Sequence, residues 1–194
     1  MTGLSVAFAF KTGLFNIGAA GQYTLGAYGA LYCAIMLKLP WFVCLLVAAV
    51  LGGLWGAIPG FFKAYFNINE VITSIMFNWI GLYLVNELIY QNGTGPMYDV
   101  RNTRTLNLSK NADFAQSLIP DFGLNKLFQT NSTTIAIFLA AAVAVLIWVV
   151  LNKTTFGYEL KAVGLNKNAA RYAGINEKKN IILSMAIAGA LAGF

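Results

Sequence analysis

Polar residues inside otherwise uncharged stretches are the candidate functional residues of this chain. Residues 12–22 read TGLFNIGAAGQ and place Asn16 and Gln22 among three glycines. Asn78 and Trp79 lie in a later apolar stretch. Amides donate and accept hydrogen bonds, and an indole ring stacks on flat molecules, so these side chains predict binding rather than bond breaking. Glycines lower helix stability and unpaired amides are costly away from water, so residues 12–22 predict a broken or re-entrant segment that lines a polar path. The alternative is that the amides only join neighbouring helices through hydrogen bonds.

The sequence shows no complete set of residues for covalent catalysis or for metal binding. The chain has no histidine, and its two cysteines, Cys33 and Cys44, lie inside apolar runs. A zinc site, a haem site or a histidine-based catalytic triad therefore lacks its ligands or its base. No G-x-x-x-x-G-K-[ST] phosphate loop is present either. The sequence predicts no catalytic residue and no metal site on this chain.

The charged residues are concentrated in two stretches. Only 20 of the 194 residues are charged, and 15 of those lie in residues 91–132 and 152–180. The other 123 residues carry five charges, and 58% of the chain is apolar. A soluble domain of this size must keep a large polar surface in contact with water. The composition therefore predicts an all-α polytopic membrane protein, a bundle of transmembrane helices.

Runs of membrane-spanning length with at most one charge divide the chain. They fall within residues 12–37, 39–62, 71–90 and 133–151, and a last run begins at residue 181; the one charge inside them is Glu87. Because a helix needs about 20 residues to cross a bilayer, we expect about five spans or partial spans in one transmembrane domain over residues 1–194, truncated at both ends. Residues 152–180 hold six basic residues, so the positive-inside rule predicts a cytoplasmic loop there and an external loop at 91–132.

Two local patterns predict how helices meet and begin. Glycines recur at four-residue spacing in two apolar runs, at Gly52, Gly56 and Gly60 and at Gly189 and Gly193. This spacing favours close approach of two helix backbones in a membrane. Asn67, followed three residues later by Glu70, predicts a capping box at the start of the third span.

Three separated segments resemble one family of membrane proteins. Residues 2–22, TGLSVAFAFKTGLFNIGAAGQ, resemble permease subunits of bacterial ABC importers, in the branch that groups branched-chain amino acid, ribose-type sugar and nucleoside permeases. Residues 69–79, NEVITSIMFNW, resemble the nucleoside and simple-sugar subgroup more closely. Residues 155–175, TFGYELKAVGLNKNAARYAGI, resemble the cytoplasmic loop that docks on the ATPase subunit.

The resemblance implies a transport subunit and not an enzyme. Such permeases work with ABC ATPase subunits, which bind ATP and Mg²⁺, with a second permease subunit, identical or homologous, and with an extracellular substrate-binding lipoprotein. This chain is then expected to carry no cofactor of its own. It is expected in the bacterial plasma membrane, in contact with membrane lipid and with no nucleic acid. The implied cargo is a nucleoside or a related simple sugar, and the candidate path residues are Asn16, Gln22, Asn78 and Trp79.

The same resemblance assigns ATPase coupling to a set of small and polar residues in the 152–180 loop: Gly157, Glu159, Gly164, Asn168, Ala169, Ala170 and Gly174. Ala169, Ala170 and Gly174 match the Ala-Ala-x-x-x-Gly core of importer coupling loops. The chain departs from the family at Asn168, where a Glu is usual, and at Ala20, where many relatives carry an acid. The alternative is a basic loop that lies on anionic lipid.

Two other functions remain open from the sequence. A branched-chain amino acid permease of the same architecture would carry a zwitterion, but the spans offer only Glu87 and Lys11 as charges for it. This favours a neutral cargo. A passive channel or membrane scaffold would need no docking surface for an ATPase on the 152–180 loop.

Overall fold

Helices account for most of the chain in the computed structural model, which describes residues 1–91, 95–99, 104–106, 108, 112–120 and 134–194. The helices are α1 (Thr2–Lys11), α2 (Ala19–Ile35), α3 (Trp41–Phe66), α4 (Glu70–Tyr90), α5 (Ala136–Lys153), α6 (Thr155–Leu165), α7 (Lys167–Tyr172) and α8 (Glu177–Gly193). The described strands are β1 (Tyr98–Asp99) and β2 (Arg104–Thr105), an antiparallel pair that is followed by a 3-10 helix at Ala112–Ser117. The predicted all-α architecture is confirmed.

Among the described helices, three are long and apolar enough to cross a membrane. They are α3, α4 and α5, with 26, 21 and 18 residues and mean hydropathies of 2.2, 1.3 and 2.3. Helices α2 and α8 have 17 residues each, which is the lower end of the spanning range of about 17–25 residues. These five helices correspond to the five expected spans or partial spans.

Helices α3 and α8 form the most extensive interface of the described fold. A Cβ atom added at Gly52 would lie 2.6 Å from the carbonyl oxygen of Gly189, and one added at Gly56 would lie 2.6 Å from that of Met185. The two backbones are therefore in direct contact, as the glycine spacing predicts. In lipid, this close contact supplies the van der Waals attraction that holds helices together.

The connection between α3 and α4 differs from the prediction. Asn67 ends α3 in the left-handed conformation, with φ 52°. The N-cap of α4 is Asn69, whose side chain accepts a hydrogen bond from the Val71 amide at 2.9 Å. Glu70 forms an ion pair with Lys63 at 2.8 Å. The predicted capping box at Asn67 is wrong because Asn69 offers a cap next to the helix and Asn tolerates the left-handed position at 67.

Residues 91–132 and residues 152–180 make contacts at opposite ends of α3. At its N-terminal end, the Gln116 amide donates a hydrogen bond to the carbonyl oxygen of Lys38. At its C-terminal end, the Lys178 ammonium lies 4.7 Å from the centre of the Tyr65 ring. The described part of residues 91–132 is thus at the other end of the bundle from residues 152–180. Which end faces the cytoplasm stays a prediction, and residues 92–94, 100–103, 107, 109–111 and 121–133 lie outside the described residues.

Candidate functional site

A non-helical segment at residues 12–18 separates α1 from α2. Helix α1 ends because Gly13 adopts a positive φ of 73°, which an L side chain rarely adopts. The Thr12 hydroxyl donates to the carbonyl oxygen of Ala9 at 2.8 Å and satisfies one of the free carbonyls of the helix end. The break that the sequence predicts in the first span is present. Its role in lining a polar path stays a prediction.

Asn16 and Gln22 form a closed pair of amides across this break. Asn16 Nδ2 donates to Gln22 Oε1 at 2.8 Å, and Gln22 Nε2 donates to Asn16 Oδ1 at 3.0 Å. Asn16 Nδ2 also lies 3.0 Å from the Ser5 hydroxyl of α1. Both amide side chains are only 1% exposed, so their mutual bonds compensate for lost water. The pair joins the break to α1 and α2, and its contact with a substrate stays a prediction.

The Asn78 side chain of α4 forms hydrogen bonds with backbone groups in and beside the same break. Its Oδ1 atom accepts from the Gly21 amide at 2.8 Å, and its Nδ2 atom donates to the Ile17 carbonyl at 2.9 Å. Trp79 points elsewhere: it is 58% exposed and stacks on Tyr83 with 6.1 Å between ring centres. The structure therefore brings the three predicted amide residues to one break and places the predicted indole on another face of α4.

Hydroxyl groups around the break are the part of this cluster that the sequence analysis missed. Ser5 contacts the amide pair, and the hydroxyls of Thr12 and Ser184 share a hydrogen bond. Ser74 is fully buried, and its hydroxyl has no hydrogen-bond partner among the described residues. A serine in an apolar run carries no signal of which helix it will face, so these pairings depend on the tertiary fold.

Helix α6 begins at a tight corner with α5. The Thr154 hydroxyl caps α6 by accepting from the Gly157 amide at 3.1 Å. A Cβ added at Gly157 would collide with the carbonyl oxygen of Val150, so a glycine is needed for α6 to fold back on α5. Glu159 accepts a hydrogen bond from Asn180 Nδ2 at 3.1 Å, which joins α6 to α8.

The far end of α6 is in backbone contact with the α1–α2 break. A Cβ added at Gly164 would lie 2.6 Å from the carbonyl carbon of Thr12. One added at Gly13 would lie 2.7 Å from the Cα atom of Gly164. The two regions that the sequence singles out, the break and the 152–180 loop, therefore meet with no side chain between them.

Helix α7 is short and capped at both ends. The Asn166 side chain accepts hydrogen bonds from the backbone amides of Asn168 and Ala169, at 3.0 and 3.1 Å. Gly174 follows the helix with φ 81°, and the next amide, of Ile175, donates to the carbonyl of Ala170 at 3.0 Å. Gly174 thereby allows the chain to turn from α7 into α8.

A groove of about 570 Å³ lies between α6 and α7. Two large apolar side chains that line it are exposed, since Tyr158 and Leu165 are 71% and 89% accessible. Exposed apolar groups around a concave surface are typical of a protein interaction site. The groove is lined by small, polar and apolar residues: Thr155, Tyr158, Glu159, Ala162, Leu165, Asn166, Ala169, Ala170, Ala173 and Ile175.

Comparison with known proteins identifies the family. Residues 1–194 match the family described as branched-chain amino acid transport system / permease component. The chain belongs to this permease family. No solved structure shows a significant match to the permease chain.

Curated relatives of the permease chain include transporters of nucleosides and of a sugar. The guanosine ABC transporter permease protein NupP of Bacillus subtilis is 38% identical over 203 residues, covering 100% of this chain and 54% of NupP. The nucleoside ABC transporter permease protein NupB of Lactococcus lactis is 36% identical, covering 100% and 53%. The glucose ABC transporter permease protein TsgB13 of Haloferax volcanii is 32% identical, covering 99% and 51%. The permease chain thus spans about half the length of these relatives.

The seven predicted coupling residues of the permease lie in one region and fall into three groups. They comprise the groove residues Glu159, Ala169 and Ala170, the helix-contact residues Gly157 and Gly164, and the exposed residues Asn168 and Gly174. The structure brings all of them to α6, α7 and the turn after α7. Their contact with an ATPase stays a prediction.

Proposed function

We propose that this chain is part of the permease subunit of an ATP-driven importer that carries nucleosides or related simple sugars across the bacterial plasma membrane. The observation that carries the proposal is the match of all 194 residues to a family of transport permeases. The names of three relatives, which refer to guanosine, nucleosides and glucose, support the cargo class. The amide-rich and uncharged break between α1 and α2 is chemically compatible with a neutral cargo.

The α6–α7 groove is the proposed docking surface for an ABC ATPase subunit. Its exposed apolar rim favours burial against a protein, and Lys167 and Arg171 of α7 add positive charge beside it. ATP and Mg²⁺ would be bound by that partner. A second permease subunit would complete the path, and an extracellular binding lipoprotein would deliver the cargo.

The mechanism proposed for coupling uses the contact between α6 and the break. When the ATPase subunits close on ATP, they would displace the α6–α7 unit. Gly164 touches the Thr12–Gly13 backbone directly, so this displacement would reach the residues that precede the amide pair. A backbone contact with no flexible side chain between its parts is suited to transmit a small movement.

The first experiment is isolation of the tagged full-length protein from its native membrane, with identification of the proteins that accompany it. We expect an ABC ATPase subunit. Ala169→Trp places a large ring in the groove and should remove the ATPase. Ala115→Trp is the matched control because Ala115 is also an exposed helical alanine, but it lies at the other end of the bundle. Repeated gentle preparations without an ATPase would favour a channel or scaffold instead.

Uptake into vesicles that contain the purified complex then tests the cargo. We expect ATP-dependent uptake of labelled guanosine or glucose. The family description names branched-chain amino acids, which gives a second candidate cargo. ATP-dependent leucine uptake without nucleoside or sugar uptake would therefore replace the proposed cargo with that one.

A further inference from the structure

The C-terminal half of α4 presents a polar and aromatic face that is unfavourable against lipid. Tyr83 and Tyr90 are 65% and 47% exposed, and Asn86 and Glu87 are exposed beside them. A carboxylate in a membrane-spanning helix is costly unless it faces water, a polar solute or protein. Trp79 stacks on Tyr83 one turn earlier and extends the aromatic face towards the middle of the helix.

A pocket of about 490 Å³ lies on this face, between α4 and the β1–β2 pair. Its volume is in the range of about 300–1,000 Å³ that is usual for small-molecule sites. Tyr90 and Tyr98 meet edge to face, with 5.1 Å between their ring centres, and form one wall. The lining residues with polar or aromatic side chains are Tyr83, Asn86, Glu87, Tyr90, Tyr98 and Thr105.

We propose that this outer pocket binds the sugar ring of a neutral, polyhydroxylated molecule, either a nucleoside or a free sugar. The identity of the cargo, and the external position of the pocket, rest on the proposed importer function. The Glu87 carboxylate can accept hydrogen bonds from two adjacent hydroxyl groups, and the Asn86 amide can both donate and accept. The tyrosine rings offer apolar faces on which a sugar or base packs.

The charge of the pocket also sets its selectivity. Its described lining carries one carboxylate, Glu87, and no cationic side chain. A phosphate on the ligand would bring a second negative charge close to Glu87, and like charges at short distance repel. The pocket should therefore bind a nucleoside and reject the corresponding nucleotide.

Equilibrium binding to the full-length protein in lipid nanodiscs tests the pocket. The probes are tritiated guanosine, ribose as a competitor, and guanosine 5′-monophosphate. Loss of one charged hydrogen-bonding group or one stacking ring changes affinity by about tenfold, so Glu87→Gln and Tyr83→Leu should each weaken guanosine binding by about that factor. Glu87→Gln should also reduce the preference for guanosine over its monophosphate, which a purely structural role of Glu87 would leave unchanged.

Tyr32→Leu serves as the matched control. Tyr32 is an exposed tyrosine of α2 that does not line the pocket. Competition by ribose would indicate that the sugar ring is recognised, and binding of guanosine without such competition would assign recognition to the base alone and overturn this inference. Absence of saturable guanosine and ribose binding at millimolar concentration, or equal binding by wild type and both pocket variants, would also overturn it.

These outcomes are separate from those of the importer proposal. ATPase co-isolation depends on the α6–α7 groove at the other end of the bundle. If the ATPase co-isolates while Glu87→Gln and Tyr83→Leu both bind guanosine like wild type, the pocket inference fails and the importer proposal stands. If no ATPase co-isolates but guanosine binding depends on Glu87, the importer proposal fails and the pocket is supported.

Discussion

Substitution of Gly164 by alanine tests the contact between α6 and the α1–α2 break. The added methyl carbon would lie 2.6 Å from the Thr12 carbonyl carbon, 2.7 Å from its oxygen and 2.9 Å from the Gly13 amide nitrogen. Ordinary contact begins at 3.4 Å, so the two segments must separate by roughly 0.8 Å. All three neighbours are backbone atoms, which no rotamer change can move. Overpacking of this kind costs about 1–3 kcal/mol.

The matched control for this prediction is Gly3→Ala. Gly3 lies in α1 and has no atom within 4 Å of an added Cβ, so the change there only gains the helix propensity of alanine, about 1 kcal/mol. Gly164 is also a helical residue, so the propensity gain is common to both variants and the overpacking cost is the difference between them. We expect Gly164→Ala to be less stable than Gly3→Ala by about 2 kcal/mol, or roughly 5 °C in the unfolding midpoint. The assay is thermal unfolding of the detergent-purified full-length protein, followed by size-exclusion chromatography. Equal midpoints for the two variants would refute the contact.

The transport consequence of Gly164→Ala follows from the same geometry. At a temperature where the variant is folded, the ATPase should still bind, because Gly164 is not among the residues that line the groove. ATP hydrolysis should then continue while uptake falls. Uptake and hydrolysis that fall in proportion would contradict transmission through this contact.

Three further substitutions probe the helix contacts in the membrane. Asn78→Ala removes the hydrogen bonds of Asn78 to the Gly21 amide and the Ile17 carbonyl, and it should cost about 2 kcal/mol in the free energy of unfolding. Lost transport with an unchanged unfolding midpoint would instead place Asn78 in the path. Gln22→Leu leaves the buried Oδ1 atom of Asn16 without its donor and should cost about 2–3 kcal/mol in the free energy of unfolding; an unchanged midpoint in the same thermal assay would contradict the amide pair. Gly52→Val should separate α3 from α8 and abolish accumulation of the protein in the membrane, as measured by immunoblot; normal accumulation would argue against the interface.

The membrane architecture was predictable because lipid imposes simple requirements on a sequence. Long apolar runs with at most one charge had to become helices, and the runs within 39–62, 71–90 and 133–151 correspond to α3, α4 and α5. The break near Asn16 was also predictable, since glycines and amides disfavour a continuous apolar helix. The capping of α4 was not, because Asn67 and Asn69 both match local cap chemistry and the Lys63–Glu70 ion pair depends on how the two helices meet.

The composition of the polar cluster could be predicted only in part. Asn78 and Trp79 are neighbours in sequence, but successive helical residues point about 100° apart, so one holds the break and the other lies on the exposed face of α4. The Ser5 contact and the Gly13–Gly164 contact join segments that are distant along the chain. No periodicity within one segment reports such a pairing. The match to importer coupling loops located the α6–α7 region but carried no information about its contact with the break.

The glycine-faced interface of α3 and α8 has a consequence for how the protein is made. Helix α3, with a mean hydropathy of 2.2, is long and apolar enough to cross the bilayer by itself, whereas α8 buries the polar residues Asn180 and Ser184 inside the described fold. The ribosome completes α8 more than a hundred residues after α3. Helix α3 must therefore wait in the membrane with its glycine face open, and α8 is stabilised on arrival by that face and not by lipid alone. Substitutions that disrupt this interface would consequently act during biogenesis: the late helix would fail to insert and the nascent chain would be degraded.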